Sequence, residues 1–238
     1  MSVRIAGYKN DNQYSYCLGA SPTLELLAAR PRSVVRVLLT TDGGRNSGVA
    51  MIREMCGSLD IPVETNDKAV RRLSPKENHY AVAVFNKYAA HLHADENHVV
   101  LINPSDMGNL GTVARTMIAF GFHNLALIRP AADVFHPKAI RASMGALFRL
   151  EHEYYDGFDE YRTAFRHALY PLMTDGRTAL DEAVFRPPFA LVFGSESQGL
   201  PPRFLDEGTS VAIPKLGEVD SLNLSAAAAI ALYAARKR

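Results

Sequence analysis

Apolar residues fall into two rhythms along the chain, and the two alternate. Residues 21–30 (SPTLELLAAR) carry apolar side chains at helical spacing, which predicts a helix with Ser21 as its N-cap and Pro22 in its first turn. Residues 34–41 (VVRVLLTT) form a β-branched run that reads as a buried strand, broken by GGRN at 43–46. Helix 47–59, short strand 61–66, short helix 67–74 and strand 80–85 complete a first α/β block. Residues 89–97 (AAHLHADEN) show no period and read as a linker.

The alternation then restarts. Strands are expected at 98–103, 124–129, 149–155, 170–175, 189–194 and 210–214. Helices are expected at 108–121, stopped by Gly121, and at 137–147 and 159–169. An alanine-rich helix closes the chain, and Asp220, Ser221, Asn223 and Ser225 are all fit to cap it. Strands alternating with helices predict a mostly parallel sheet covered on both faces. The expected division is therefore a first domain at 1–88, a linker at 89–97 and a second domain at 98–238.

Composition narrows the class. Of 238 residues, 47% are hydrophobic and 21% charged, enough apolar content for a buried core. The apolar run from Leu224 to Ala235 is too short to span a bilayer, and the N-terminal residues lack the apolar core of a signal peptide. Cys17 and Cys56 make neither a metal-ligand spacing nor a disulfide framework, so a cytoplasmic protein with reduced thiols is expected. His91, His93 and His98 have no supporting acidic or cysteine ligands, so no metal site is expected. Residues 1–95 hold 12 Lys and Arg against 9 Asp and Glu, while the remainder holds 14 against 16. The small excess favours the N-terminal part for contact with a polyanion. The clusters there are Arg30 and Arg32 with Arg36, and Lys68, Arg71 and Arg72 on one helix face.

Candidate chemistry sits where apolar strands run into glycine-bearing polar turns, the usual ligand position in open α/β sheets. Three segments qualify: NPSDMGNLGTVART, FGSESQGL and IPKLGEVDSLNLS. None is a dinucleotide fingerprint, a P-loop, a hydrolase elbow or a metal motif, so the residues alone give a ligand site and no reaction.

In series and in this order, the three segments resemble the signature motifs of the SpoU/TrmH branch of the SPOUT RNA methyltransferases. The segment IRASMGALFRL resembles another family stretch, and the likeness covers about residues 98–238. Residues 1–87 resemble, less closely, an N-terminal RNA-binding domain related to a ribosomal protein. The resemblance implies a C-terminal parallel-sheet α/β domain with a deep trefoil knot, S-adenosylmethionine as cofactor, and no metal. It implies methyl transfer to a ribose 2′-OH of rRNA or tRNA, carried out by a homodimer packed through knot helices. It assigns Asn109, Arg115, Glu196, Ser221 and Asn223 to catalysis, and Gly194, Gly199, Ile213 and Leu222 to the cofactor. RNA contact falls to Arg30, Arg32, Lys68, Arg71 and Arg72. Two departures are visible. Extra residues separate Pro104 from Asn109, which leaves the role of Asn103 open, and Lys215 stands where methionine is common. Two rivals are a non-catalytic RNA-binding or assembly protein that retains the knot, and a nucleotide-dependent enzyme such as a dehydrogenase. The missing glycine fingerprint argues against the second.

Overall fold

The structure is a computed structural model, and it describes residues 6–74, 80–217 and 219–236. In chain order the elements are β1 (Tyr14–Leu18), α1 (Ala20–Ala29), β2 (Val34–Leu39), α2 (Ser47–Ser58), β3 (Val63–Thr65), α3 (Asp67–Leu73) and β4 (Ala81–Asn86). Then come β5 (His98–Ile102), α4 (Met107–Ala119), β6 (Asn124–Ile128), α5 (Pro137–Ala142), β7 (Glu151–Tyr155) and α6 (Phe158–Ala164). The last are β8 (Ala168–Pro171), β9 (Thr178–Ala179), β10 (Phe189–Phe193), β11 (Val211–Ala212) and α7 (Leu224–Ala235).

The chain divides into two compact units. One comprises Met1–Tyr88 together with Asp133–Arg149. Its sheet has the order β1-β4-β2-β3, with β2 and β3 parallel and the other pairs antiparallel. Strand β1 was not anticipated. Its sequence YSYCL mixes hydroxyls with apolar groups, yet Ser15, Tyr16 and Cys17 are all buried. Helix α1 begins two residues earlier than expected, with Gly19 at φ 101° as its cap in place of Ser21. That left-handed φ is one glycine accepts readily. Caps at Asn46 and Asn66 start α2 and α3 by accepting backbone N–H bonds.

Residues 133–149 were expected in the second domain, but they belong to this unit. The rings of Phe135 and Phe148 pack on Phe85 of β4, and Arg30 Nε donates to the Phe148 carbonyl at 3.1 Å. Lys87 pairs with Asp133 at 3.2 Å, and Arg149 with Glu25 at 2.6 Å. The sequence pattern shows that the segment is half apolar and cannot show which core receives it.

The other unit comprises Ala89–Ala132 and Leu150–Arg238. Its sheet runs β7-β6-β5-β10-β8, all parallel, with a two-stranded parallel ribbon of β9 and β11 beside it. Strands β5, β6 and β10 are buried at every position. Their near-continuous apolar sequences follow from cover on both faces. The stretch 89–97, expected as a linker, belongs to this unit: Ala90 and Leu92 are buried, and the His93 N–H donates to Asn124 Oδ1 at 2.9 Å. From β5 the order runs outward through β6 and β7 on one side and through β10 and β8 on the other. The switch point therefore lies between β5 and β10. Among the described residues no helix is long and apolar enough to cross a membrane.

Candidate active site

Two of the three motif segments leave the sheet at that switch point, where the ends of adjacent parallel strands open a crevice. After β5 the chain turns at Asn103, whose φ of 53° is left-handed. Its side-chain amide donates to the Arg129 carbonyl at 3.0 Å. Asp106 then caps α4, its Oδ1 accepting from the Asn109 N–H at 2.7 Å. After β10 the chain enters Gly194–Gly199.

Glu196 joins the two segments. Its Oε2 accepts from the Ser105 N–H at 3.3 Å and from Ser105 Oγ at 3.2 Å. Its Oε1 accepts from the Asp106 N–H at 3.2 Å and from Asn109 Nδ2 at 3.4 Å. Partial burial pushes this carboxyl up, but backbone N–H groups of Glu196 itself, Ser105 and Asp106, with the Asn109 amide, outweigh it and hold the pKa below the ordinary value. Asn109 Oδ1 in turn accepts from Asn223 Nδ2 at 3.2 Å. Asn223 caps α7 through its Oδ1, which accepts from the Ser225 N–H at 2.9 Å. Glu196, Asn109 and Asn223 thus form one hydrogen-bonded chain across three motifs.

A pocket of about 370 Å³ opens beside this chain. Gly194, Gly199, Ile213 and Leu222 all line it, as do Glu196 and Ser221. Glycine is required at 194 by close approach: a Cβ there would lie 2.0 Å from the Gly199 carbonyl carbon. Gly199 has φ 66° and donates its N–H back to the Ser195 carbonyl at 3.0 Å. The pocket has a further wall that sequence reasoning missed, made by Met173, Thr174 and Asp175 after β8. The polar, glycine-bearing turn after β8 is visible in the sequence, but its place beside β10 is not. Lys215 is another lining residue, and its ammonium donates to the carbonyls of Val219, at 3.1 Å, and Asp220.

Arg115 is not brought to this pocket. It lies six residues beyond Asn109 on α4, about 120° round the helix. It is exposed, and no bond joins it to another described residue. Of the residues expected at RNA, Arg32, Lys68, Arg71 and Arg72 are exposed. Arg30 is half-buried, stacked 4.9 Å from the Tyr88 ring centroid and bonded to Phe148, so it serves the unit's own packing.

Known proteins resemble this chain in sequence and fold. The chain is 40% identical over 135 residues to the Ribosomal RNA small subunit methyltransferase G 2 of Syntrophobacter fumaroxidans, covering 57% of this chain and 26% of that one. It is 35% identical over 148 residues to the 23S rRNA (uridine(2479)-2′-O)-methyltransferase of Streptomyces viridochromogenes, covering 58% of this chain and 51% of that one. The chain thus spans about half or less of the length of these curated relatives. The solved SpoU methyltransferase AviRb from Streptomyces viridochromogenes, in complex with the cofactor AdoMet, superposes with a TM-score of 0.80 at 24% identity. That match covers 94% of this chain and 90% of that one, and it shows a shared fold. The model described as SpoU rRNA Methylase family matches residues 96–233, a range that holds all three motifs, and the chain belongs to that family.

Proposed function

We propose that this protein transfers the methyl group of S-adenosylmethionine to a ribose 2′-OH of a structured RNA, rRNA or tRNA. The observation that carries this reading is the Glu196–Asn109–Asn223 chain at the β5/β10 switch point, beside a pocket walled by glycine backbone. The pocket fits a bent nucleoside cofactor. Its volume lies in the range of small-molecule sites, roughly 300–1,000 Å³. It offers both apolar side chains, Ile213, Leu222 and Met173, and acids suited to a cationic sulfonium, Asp175 and Glu196. Gly194, Gly199, Ile213 and Leu222 would hold the cofactor, which would supply an electrophilic methyl carbon to the ribose hydroxyl, and the hydroxyl proton would pass to water or to an RNA phosphate.

The protein's own groups position the reactants. Glu196 has its acceptor sites filled by four donors, so it acts as a tie between motifs and not as a base. Asn109 and Asn223 fix the start of α7, which presents Ser221 to the pocket. Arg115 carries a guanidinium whose pKa stays above about 12, so it donates and does not abstract protons. Its role in this reading is to grip the target phosphate and steady the forming alkoxide.

Because Arg115 faces away from its own pocket, it serves the pocket of a partner subunit. Helices α4 and α7 lie together, with Ile230 42% and Tyr233 55% exposed on α7, an apolar face suited to a second copy. The family's knot belongs to this reading as well. Arg32, Lys68, Arg71 and Arg72 would meet RNA phosphates.

The test is to incubate the protein with labelled S-adenosylmethionine and total RNA from a strain lacking it. The modified nucleotide is then mapped by its resistance to alkaline cleavage. One 2′-O-methyl site is expected. Absence of transfer together with absence of cofactor binding by calorimetry would leave the non-catalytic RNA-binding reading in its place.

A further inference from the structure

Between Pro104 and Asn109 the first motif carries Ser105, Asp106, Met107 and Gly108, and the structure gives the first two work. Ser105 donates twice to one oxygen of Glu196, through its N–H at 3.3 Å and its hydroxyl at 3.2 Å. This fixes which carboxylate oxygen is left for the rest of the site. Oε1 then takes the Asn109 amide nitrogen, which turns Asn109 Oδ1 toward Asn223 Nδ2 and leaves Asn223 Oδ1 to cap α7. Each amide can point only one way once the carboxylate is ionised and oriented. A protonated Glu196 would present a donor where Asn109 also presents one, and the polarity of the whole chain would be lost.

We propose that Ser105 is a positioning residue for the transfer reaction, acting through its hydrogen bonds to Glu196 to set the direction of the Asn109–Asn223 amide chain. This rests on the methyltransferase reading for its kinetic consequence, though not for its structural one. A hydroxyl donated to the charged form of an acid lowers its pKa, so removing it raises the pKa. The titratable groups facing the same region are Asp106 at the α4 cap, Asp175 after β8, and Lys215 and Asp220 in the loop after β11. All four remain in a Ser105 variant, so a shift on substitution belongs to the lost hydroxyl.

The experiment compares Ser105→Ala, Ser105→Thr, Glu196→Gln and the Ser105→Ala/Glu196→Gln double variant. Ser105 is exposed, so the alanine variant should fold. First, the Glu196 carboxyl is titrated by carbon-13 NMR in the protein without cofactor. Its midpoint should rise by about half a pH unit or more in Ser105→Ala and return in Ser105→Thr. Second, kcat for methyl transfer is followed against pH. The acid limb should move upward by the same amount, with the KM for S-adenosylmethionine changed less than twofold. Third, the double variant should be no slower than Glu196→Gln alone, because the two residues act in one chain. An unmoved Glu196 midpoint, or fully additive losses in the double variant, would overturn the proposal. If the wild type transfers no methyl group, the reading of function fails, and the NMR titration alone still decides the role of Ser105.

Discussion

At the scale of single residues the site depends on atoms that are absent as much as on atoms present. A methyl group at Gly194 would collide with the backbone of Gly199 and Leu200, at 2.0–2.3 Å, and neither can move aside as a side-chain tip could. Gly194→Ala should therefore cost several kcal/mol of stability and abolish cofactor binding. Urea denaturation and calorimetry check this, and a variant of near-normal stability that binds S-adenosylmethionine would contradict it. Arg115 is the opposite case, an exposed side chain with no bond to another described residue. Arg115→Ala should leave stability within about 0.5 kcal/mol and cofactor affinity within about twofold. Methyl transfer should fall at least about 100-fold, as for the loss of an oriented charge donor at a reacting oxygen. Single-turnover assays at saturating cofactor read that loss directly.

At the scale of elements, the lower end of β5 carries a buried polar cluster that the site does not use. His98 is fully buried, between the Tyr161 hydroxyl at 2.9 Å and the His93 carbonyl at 2.9 Å, and it stacks on His167 at 4.1 Å. Burial pushes the His98 pKa down from 6.5 to about 4, and burial also lowers that of His167. An unfolded chain takes up these protons near pH 6.5 while the folded one refuses them until lower pH. The stability tied to His98 is thus complete above about 6.5 and is lost as pH falls toward 4, a loss on the order of 3 kcal/mol. Urea midpoints measured from pH 7.5 to 4 should trace this fall. His98→Gln, less stable at neutral pH, should fall less steeply, and an unchanged slope would remove His98 from the effect.

The same strand shows what could be read from sequence. Runs such as HVVLI and FALVF announce buried parallel strands by composition alone, and the turns that follow them announce a ligand site. The segments that carry Asn109, Glu196 and Ser221 stood out because a strand end, a glycine and polar side chains recur together, while the resemblance singled out those three residues. Strand β1 and the pocket wall at Met173–Asp175 were not. In the first, burial of Ser15 and Tyr16 is decided by partners in β4, more than 60 residues away. In the second, β8 lies next to β10 only because a non-sequential strand order brings it there.

At the scale of the whole molecule, α7 poses a question of partnership. Its inner face buries Leu224, Ala228, Ala231, Leu232 and Ala235, while Ile230 and Tyr233 face outward beside α4. If a second copy covers them, Ile230→Glu should weaken association by several kcal/mol, since the charge would be buried unpaired. Specific activity should fall with it as the protein is diluted. Sedimentation and activity read on the same dilution series check both. A monomeric variant with full activity would refute the dimeric site and the placing of Arg115 in the partner's pocket together.

The unit that holds residues 133–149 is written in two separate stretches of the gene. It cannot be completed during synthesis until residue 149 has left the ribosome, by which time β5, α4 and β6 of the other unit have already emerged. Nor can a single recombination event carry it to another protein. A crossover near residue 88 would transplant β4 without Phe135 and Phe148, leaving Phe85 facing water. Exchange of this unit between relatives must therefore move both stretches at once, or reinvent the second on the spot.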